Sequence, residues 1–146
     1  MENDPVNHPS HYTGGPNLGR LECLDITRWM PFTLGNAFKY TFRAGKKDPT
    51  RIVEDLEKAR FYLLEWKSLV PRHDRLYHGR APAEAFFFKT DYRQWESWRY
   101  RALRAIVTGN ADEAIVEVER QIRIANAATD EAMNRYFPED ETDDPD

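Results

Sequence analysis

The sequence predicts an all-α, compact helical domain that assembles as a homo-oligomeric helical bundle and ends in an acidic disordered C-terminal tail. Three observations predict it. Apolar residues recur at spacings of three and four, prolines and glycines fall at the ends of those stretches, and no segment alternates apolar with polar residues as a half-buried strand does. At 146 residues the chain is one ordinary domain in length, long enough for one core.

The elements follow in chain order. A short helix is expected from Glu22 to about Met30, stopped by Pro31, and a second from Thr33 to Ala44, ended by Gly45. Ile52, Leu56, Ala59, Leu63 and Trp66 then step 4-3-4-3 after Thr50, read as the N-cap, and the pattern stops before Pro71. Residues 72 to 82 read as a linker or long loop, and "FFFKT" (86 to 90) as a short extended piece or buried turn. A helix from about Asp91 to Val107 is expected to bury Trp95, Trp98, Ala102 and Ala105, with Gly109 in the left-handed cap. The last helix runs from Asn110 to about Tyr136 on the stripe Ala111, Ile115, Val118, Ile122, Ala125, Thr129 and Ala132, with Asn110 and Glu113 placed as a capping box. Its heptad-like spacing suits a partner helix in the same chain or across a subunit interface. The organisation is residues 1 to 70 as one helical region, 71 to 137 as a second half suited to oligomerisation, and 138 to 146 as the tail.

Charge is unevenly placed. The net charge is -4, yet six of the 25 acids lie in the last eight residues, which leaves 19 against 21 bases in the body. A run of like charge without apolar residues is a solvated tail. The single cysteine, Cys23, cannot form an intramolecular disulfide, no basic-then-apolar leader opens the chain, and no apolar run approaches a membrane span. A soluble cytosolic protein without a membrane partner is expected.

Two stretches carry chemistry. In "GNAFKYTFRAGKKD" (35 to 48), Asn36, Lys39, Tyr40 and Arg43 fall on one helical face, while Leu34, Phe38 and Phe42 take the other. With Lys46 and Lys47 just beyond Gly45, four cations lie between 36 and 47 without one acid. Such a cluster repels itself unless an anion or carboxylates offset it. Glu54, Asp55 and Glu57 on the next helix offer ordinary ion pairs; the sharper reading is a phosphate site, with Arg43 as a planar fork and Lys39 as a point charge. In "VNHPSHYTGG" (6 to 15), Pro9 forbids a regular helix around His8 and His11. The segment reads as a lid that Gly14 and Gly15 fold back over Lys39 and Arg43.

These stretches, together with "ECLDI" and "EDLEKARFYL", stand in the order and spacing of a known pattern. Over about residues 6 to 66 the chain resembles a small bacteriophage domain family of unknown function that includes the nucleotide kinase without a P-loop of T-seven-like coliphages. The resemblance implies a phage protein of the host cytoplasm that handles nucleotides, with nucleoside monophosphate kinase activity, and Mg²⁺ and ATP as its cofactors if it is a kinase. The family pattern falls on His8, His11, Tyr12, Glu22, Asp25, Gly35, Asn36, Lys39, Tyr40, Arg43, Lys46, Lys47, Glu54, Asp55 and Lys58. Lys39 and Arg43 then grip phosphate oxygens, and Lys46 or Lys47 closes over them. Asn36 meets a base edge or ribose, and Tyr12 or Tyr40 stacks on the base. Glu54 and Asp55 are the acids available to Mg²⁺.

Other chemistries weigh less. No GxxxxGK[ST] or GxGxxG cradle occurs, and "TGGPNLG" (13 to 19) lacks the lysine and the following helix. Binding without turnover therefore stands beside kinase activity: a stoichiometric sponge for a cyclic or other host immune signalling nucleotide needs only phosphate contacts and stacking. A single-strand nucleic-acid or protein interaction module is the third reading, from the basic and aromatic residues 72 to 104, although Trp95, Trp98 and Ala102 read better as core. Structural zinc is not expected, since His8 and His11 find Cys23, His73 and His78 at no familiar spacing.

Overall fold

In the computed structural model, which describes residues 6–7, 11–12, 21–69, 76–91, 93 and 95–138, six α-helices and no strand occur among the described residues. They are α1 (Cys23–Thr27), α2 (Phe32–Arg43), α3 (Ile52–Ser68), α4 (Arg80–Phe87), α5 (Ser97–Val107) and α6 (Ala111–Tyr136), with one 3-10 turn, Pro49–Arg51, leading into α3. The all-α expectation holds. The acidic tail from 139 onward lies outside the described residues, as do His8, Gly14, Gly15 and His73.

α2 and α3 form the frame of the site. Leu34, Ala37, Phe38, Thr41 and Phe42 are buried on α2, and Leu56, Ala59, Leu63 and Trp66 on α3, so the two expected apolar stripes face one another. Each such Leu or Phe contributes about 1.5–3 kcal/mol by leaving water. Gly45 ends α2 at φ +77°, a conformation that any Cβ would strain. The cap differs from expectation: Asp48, not Thr50, accepts the Thr50 N–H at 3.0 Å. Pro49 occupies the first position of the 3-10 turn, so the capping acid stands one residue before it.

The second half closes the same core rather than forming a separate one. α5 packs on α2 and α6, and α6 on α3. Asn110 caps α6 through Glu113 N–H at 3.2 Å, and Gly109 takes φ +78°, both as expected. Three expectations are corrected. Residues 80 to 82, read as the end of a linker or long loop, and 86 to 87, read as part of a short extended piece or buried turn, belong to the helix α4, because Ala83 and Phe87 fall on one face and the Phe87 ring meets Phe38 edge-on at 6.1 Å. α5 starts only at Ser97, so Trp95 precedes it and reaches Phe42 from a bend, at 5.5 Å between ring centres. α1 ends at Thr27, three residues early, in a turn that delivers Pro31.

Gly79 shows how tightly the halves are joined. A Cβ there would overlap the carbonyl of Trp29, at the end of the turn after α1. Gly79→Ala is therefore expected to destabilise the protein by about 1–3 kcal/mol through overpacking, read as a lower urea midpoint with unchanged slope. An unchanged midpoint would mean that this junction yields freely.

Candidate functional site

Arg43 closes α2 and Asp55 opens α3, and the turn through Gly45 and the 3-10 turn folds one back on the other. Arg43 Nε and Nη2 donate to Asp55 Oδ1 at 3.1 and 3.0 Å, while Nη1 donates to the Tyr12 hydroxyl at 3.0 Å. The two charged side chains are 12% and 7% exposed. Tyr12 is itself pinned, since its carbonyl accepts the Cys23 N–H at 3.0 Å. Burial pushes the Arg43 pKa down, but Tyr12 and Asp55 outweigh it and leave it raised. Burial raises the Tyr12 pKa, against the pull of Arg43.

This pair forms one wall of a cavity of about 320 Å³ lined by Arg43, Lys47, Asp48, Arg51, Glu54, Asp55 and Lys58. Glu54 accepts from Arg51 at 2.6 Å and from Lys58 at 3.0 Å. Asp48 Oδ1 serves the Thr50 hydroxyl as well as its N–H. Lys47 has no carboxylate partner among the described residues. Four cations thus face three acids that are already engaged, and the surplus is positive. His11, stacked obliquely on Tyr12 at 4.1 Å, feels it: burial first, then Lys47 and Arg43, lower its pKa, so its imidazole is neutral near pH 7.

Tyr40 sits beside this cavity. The charged ends of Lys39, Arg43 and Lys58 lie 4.4, 4.7 and 5.5 Å from its ring centre, and Tyr62 stacks parallel to it at 6.0 Å. Of the residues named from sequence, the structure therefore brings together His11, Tyr12, Tyr40, Arg43, Lys47, Glu54, Asp55 and Lys58, with Lys39 reaching the Tyr40 ring. It separates Gly35, Asn36, Lys46, Glu22 and Asp25 from them. Asn36 donates back to the Phe32 carbonyl at 2.8 Å and, with Lys39 and Gly35, lines a different cavity of about 280 Å³. Lys46 turns away after Gly45 and lies over the Phe42 and Trp95 rings, at 4.3 and 5.5 Å; burial there and the Arg99 guanidinium lower its pKa. It does not close over Arg43. Glu22 and Asp25 act as the cap of α1, with the Glu22 N–H held by Asp25 at 2.8 Å. Cys23 is buried and its thiol is pushed up to about 12, which leaves it no nucleophile.

Two contributors were not singled out from sequence. Arg51 stands one turn before Glu54 and Asp55, and its place on the face of Lys58 was a readable signal. Arg99 comes from α5. Only 4% exposed, it donates to the carbonyls of Thr41, Phe42 and Ala44 at 2.7, 2.9 and 2.9 Å, and so caps the end of the helix that carries Arg43. Its clue was a lone arginine beside the apolar stripe of Ala102, Leu103 and Ile106.

Among the described residues no helix is long and apolar enough to cross a membrane. No solved structure matches the chain. Residues 6–64 match the family DUF3310, described as a protein of unknown function, a stretch that runs from the Val6 segment to α3 and takes in the cavity. The chain is also similar to the Gene 1.7 protein of Enterobacteria phage T3, 37% identical over 62 residues that cover 39% of this chain and 38% of that one. Both likenesses point to a bacteriophage domain of unknown function, and the family match ends within α3, before the helices that complete the core.

Proposed function

We propose that this phage-encoded chain binds a nucleotide by its phosphates in the cavity between α2 and α3, in the host cytoplasm. The observation that carries the reading is the surplus of cations around a guanidinium already fixed by Asp55 and Tyr12. Three of the five guanidinium N–H groups are used, so two remain for a phosphate oxygen. Lys47 supplies a charge with no carboxylate among the described residues to displace, and Tyr12 or Tyr40 offers a ring to the base.

Nucleoside monophosphate kinase activity is the chemistry that the family resemblance points to. Mg²⁺ would enter through Glu54 and Asp55, where it has to compete with Arg51, Lys58 and Arg43 for the same carboxylates. That competition favours a second reading, a non-catalytic sponge that sequesters a host signalling nucleotide.

One set of mixtures separates them. With ATP, Mg²⁺ and a panel of nucleoside monophosphates, diphosphate products support the kinase; a bound ligand recovered intact after heating supports the sponge. In either case Lys47→Ala is expected to weaken binding about tenfold, the loss of one charge-assisted hydrogen bond, and His11→Ala to weaken it without unfolding. The anion offsets the positive charge that helps depress His11, so its imidazole should titrate higher in the complex and affinity should strengthen as pH falls towards that point. Affinity untouched by Lys47→Ala would remove the cavity from the reading.

A further inference from the structure

Tyr40 stands between two cavities on one stripe of α2. Towards the C-terminal end of the helix is Arg43, its guanidinium 4.7 Å from the Tyr40 ring centre; towards the N-terminal end is Lys39, whose ammonium lies 4.4 Å from the same centre. Lys39 borders the hollow of about 280 Å³, together with Gly35 and Asn36 one turn earlier, Thr27 and Met30 at the end of α1 and its turn, and Phe32 at the rim. Three rings join this hollow to the Arg43 cavity. Phe32, 75% exposed, meets Tyr62 edge-on at 5.9 Å, and Tyr62 lies parallel to Tyr40 at 6.0 Å.

The floor of the hollow is a glycine that packing does not require. Glycine inside a helix lowers stability relative to alanine. A Cβ on Gly35 would stand 3.6 Å from the Thr27 carbonyl oxygen and 3.7 Å from the Met30 Cβ, which are ordinary contact distances. A methyl group would therefore fit, and it would fill the space between Gly35, Thr27 and Met30. Asn36 borders the same space with a fixed amide: one N–H is held by the Phe32 carbonyl at 2.8 Å, which leaves the Oδ1 acceptor and the second N–H to a ligand.

We propose that this hollow takes the base of the nucleotide whose phosphate is held at Arg43 and Lys47, a placement that rests on the phosphate reading of that cavity. The nucleoside then runs along α2 towards Asn36 and not back over Tyr12. Ligand pockets are mostly apolar with a few fixed polar groups; here Met30 and Phe32 supply the apolar surface, and Asn36 a donor and an acceptor for the base edge. Asn36 stands two turns, about 10.5 Å, from Arg43, which is the reach of a nucleoside monophosphate from its phosphorus to the far edge of its base. Among the described residues one cation, Lys39, borders the hollow, against four at the cavity, so an uncharged ring suits it better than a second phosphate.

Calorimetry on the full chain compares ribose 5-phosphate, which carries the anchor without the base, with the four common nucleoside monophosphates. At least one nucleotide should bind about 5- to 150-fold tighter than ribose 5-phosphate, the range for one stacked base. Gly35→Ala should remove most of that advantage, leave ribose 5-phosphate unchanged and keep or raise the melting temperature, which separates lost binding from lost fold. Phe32→Ala, which truncates an exposed ring, should remove part of it, and Asn36→Ala should narrow the differences among the four bases. Lys47→Ala should weaken ribose 5-phosphate and the nucleotides alike. Equal affinity for ribose 5-phosphate and every nucleotide overturns the base subsite and leaves the phosphate site standing. A preference for nucleotides that survives both Gly35→Ala and Phe32→Ala overturns it as well and moves the base to Tyr12. A chain that binds none of these compounds overturns the phosphate reading, and the base subsite falls with it.

Discussion

Arg99→Met is expected to cost about 3–5 kcal/mol, a large part of the roughly 5–15 kcal/mol that holds a domain of this kind together. The reason is geometric. The last carbonyls of a helix have no partners within it. At the end of α2 three of them, those of Thr41, Phe42 and Ala44, are satisfied by one buried guanidinium from α5. Methionine fills much of the same volume but offers no donor, so three buried acceptors are orphaned at about 1–3 kcal/mol each before the helix end relaxes. Arg99→Lys should recover only part of the loss, because an ammonium cannot span three carbonyls as a planar fork does. Urea denaturation followed by circular dichroism gives the number, and a change below about 1 kcal/mol would show that water replaces the cap. The same variant should weaken phosphate binding, although Arg99 lies well beyond the stretch matched by the family: the frayed end of α2 carries Arg43.

That dependence explains how far the sequence could be read. Periodicity located α2, α3 and α6 because each buries one stripe, and the caps at Gly45, Gly109 and Asn110 followed from local backbone chemistry. α4 escaped because eight residues opening with Arg80 and Ala81 and containing Pro82 show barely two helical turns of pattern. Its helicity comes from Phe87 packing on Phe38, a tertiary effect. The site was half legible. The cations from 39 to 47 were visible as a cluster, but helical spacing could not say that Gly45 would turn Lys46 towards Trp95 and leave Lys47 by the cavity. Nor could it show that Asn36 would spend its amide on the Phe32 carbonyl. Arg99 was the least legible, since its role lies in three backbone groups more than fifty residues away.

Asp55→Ala links stability to the proposed ligand. Removing one member of a buried ion pair leaves the other charge uncompensated and costs about 3–5 kcal/mol. Here Asp55 accepts two hydrogen bonds from Arg43 and is 7% exposed, so the cost should approach that range. The double variant Asp55→Ala with Arg43→Met should be less destabilised than Asp55→Ala alone, because no orphaned guanidinium remains. A phosphate that enters the cavity brings back the negative charge that Arg43 has lost. Inorganic phosphate or a nucleoside monophosphate should therefore raise the melting temperature of Asp55→Ala more than that of the parent chain, since the ligand now binds a site with one carboxylate fewer to compete with it. Sulfate at matched ionic strength should act in the same direction, and chloride should not. Equal shifts in the two proteins would mean that the anion binds elsewhere and that the Arg43–Asp55 pair only fastens α2 to α3. A larger shift in the variant ties the Arg43–Asp55 pair, the most buried ion pair among the described residues, to the phosphate site, with Asp55 holding the guanidinium ready until the ligand arrives.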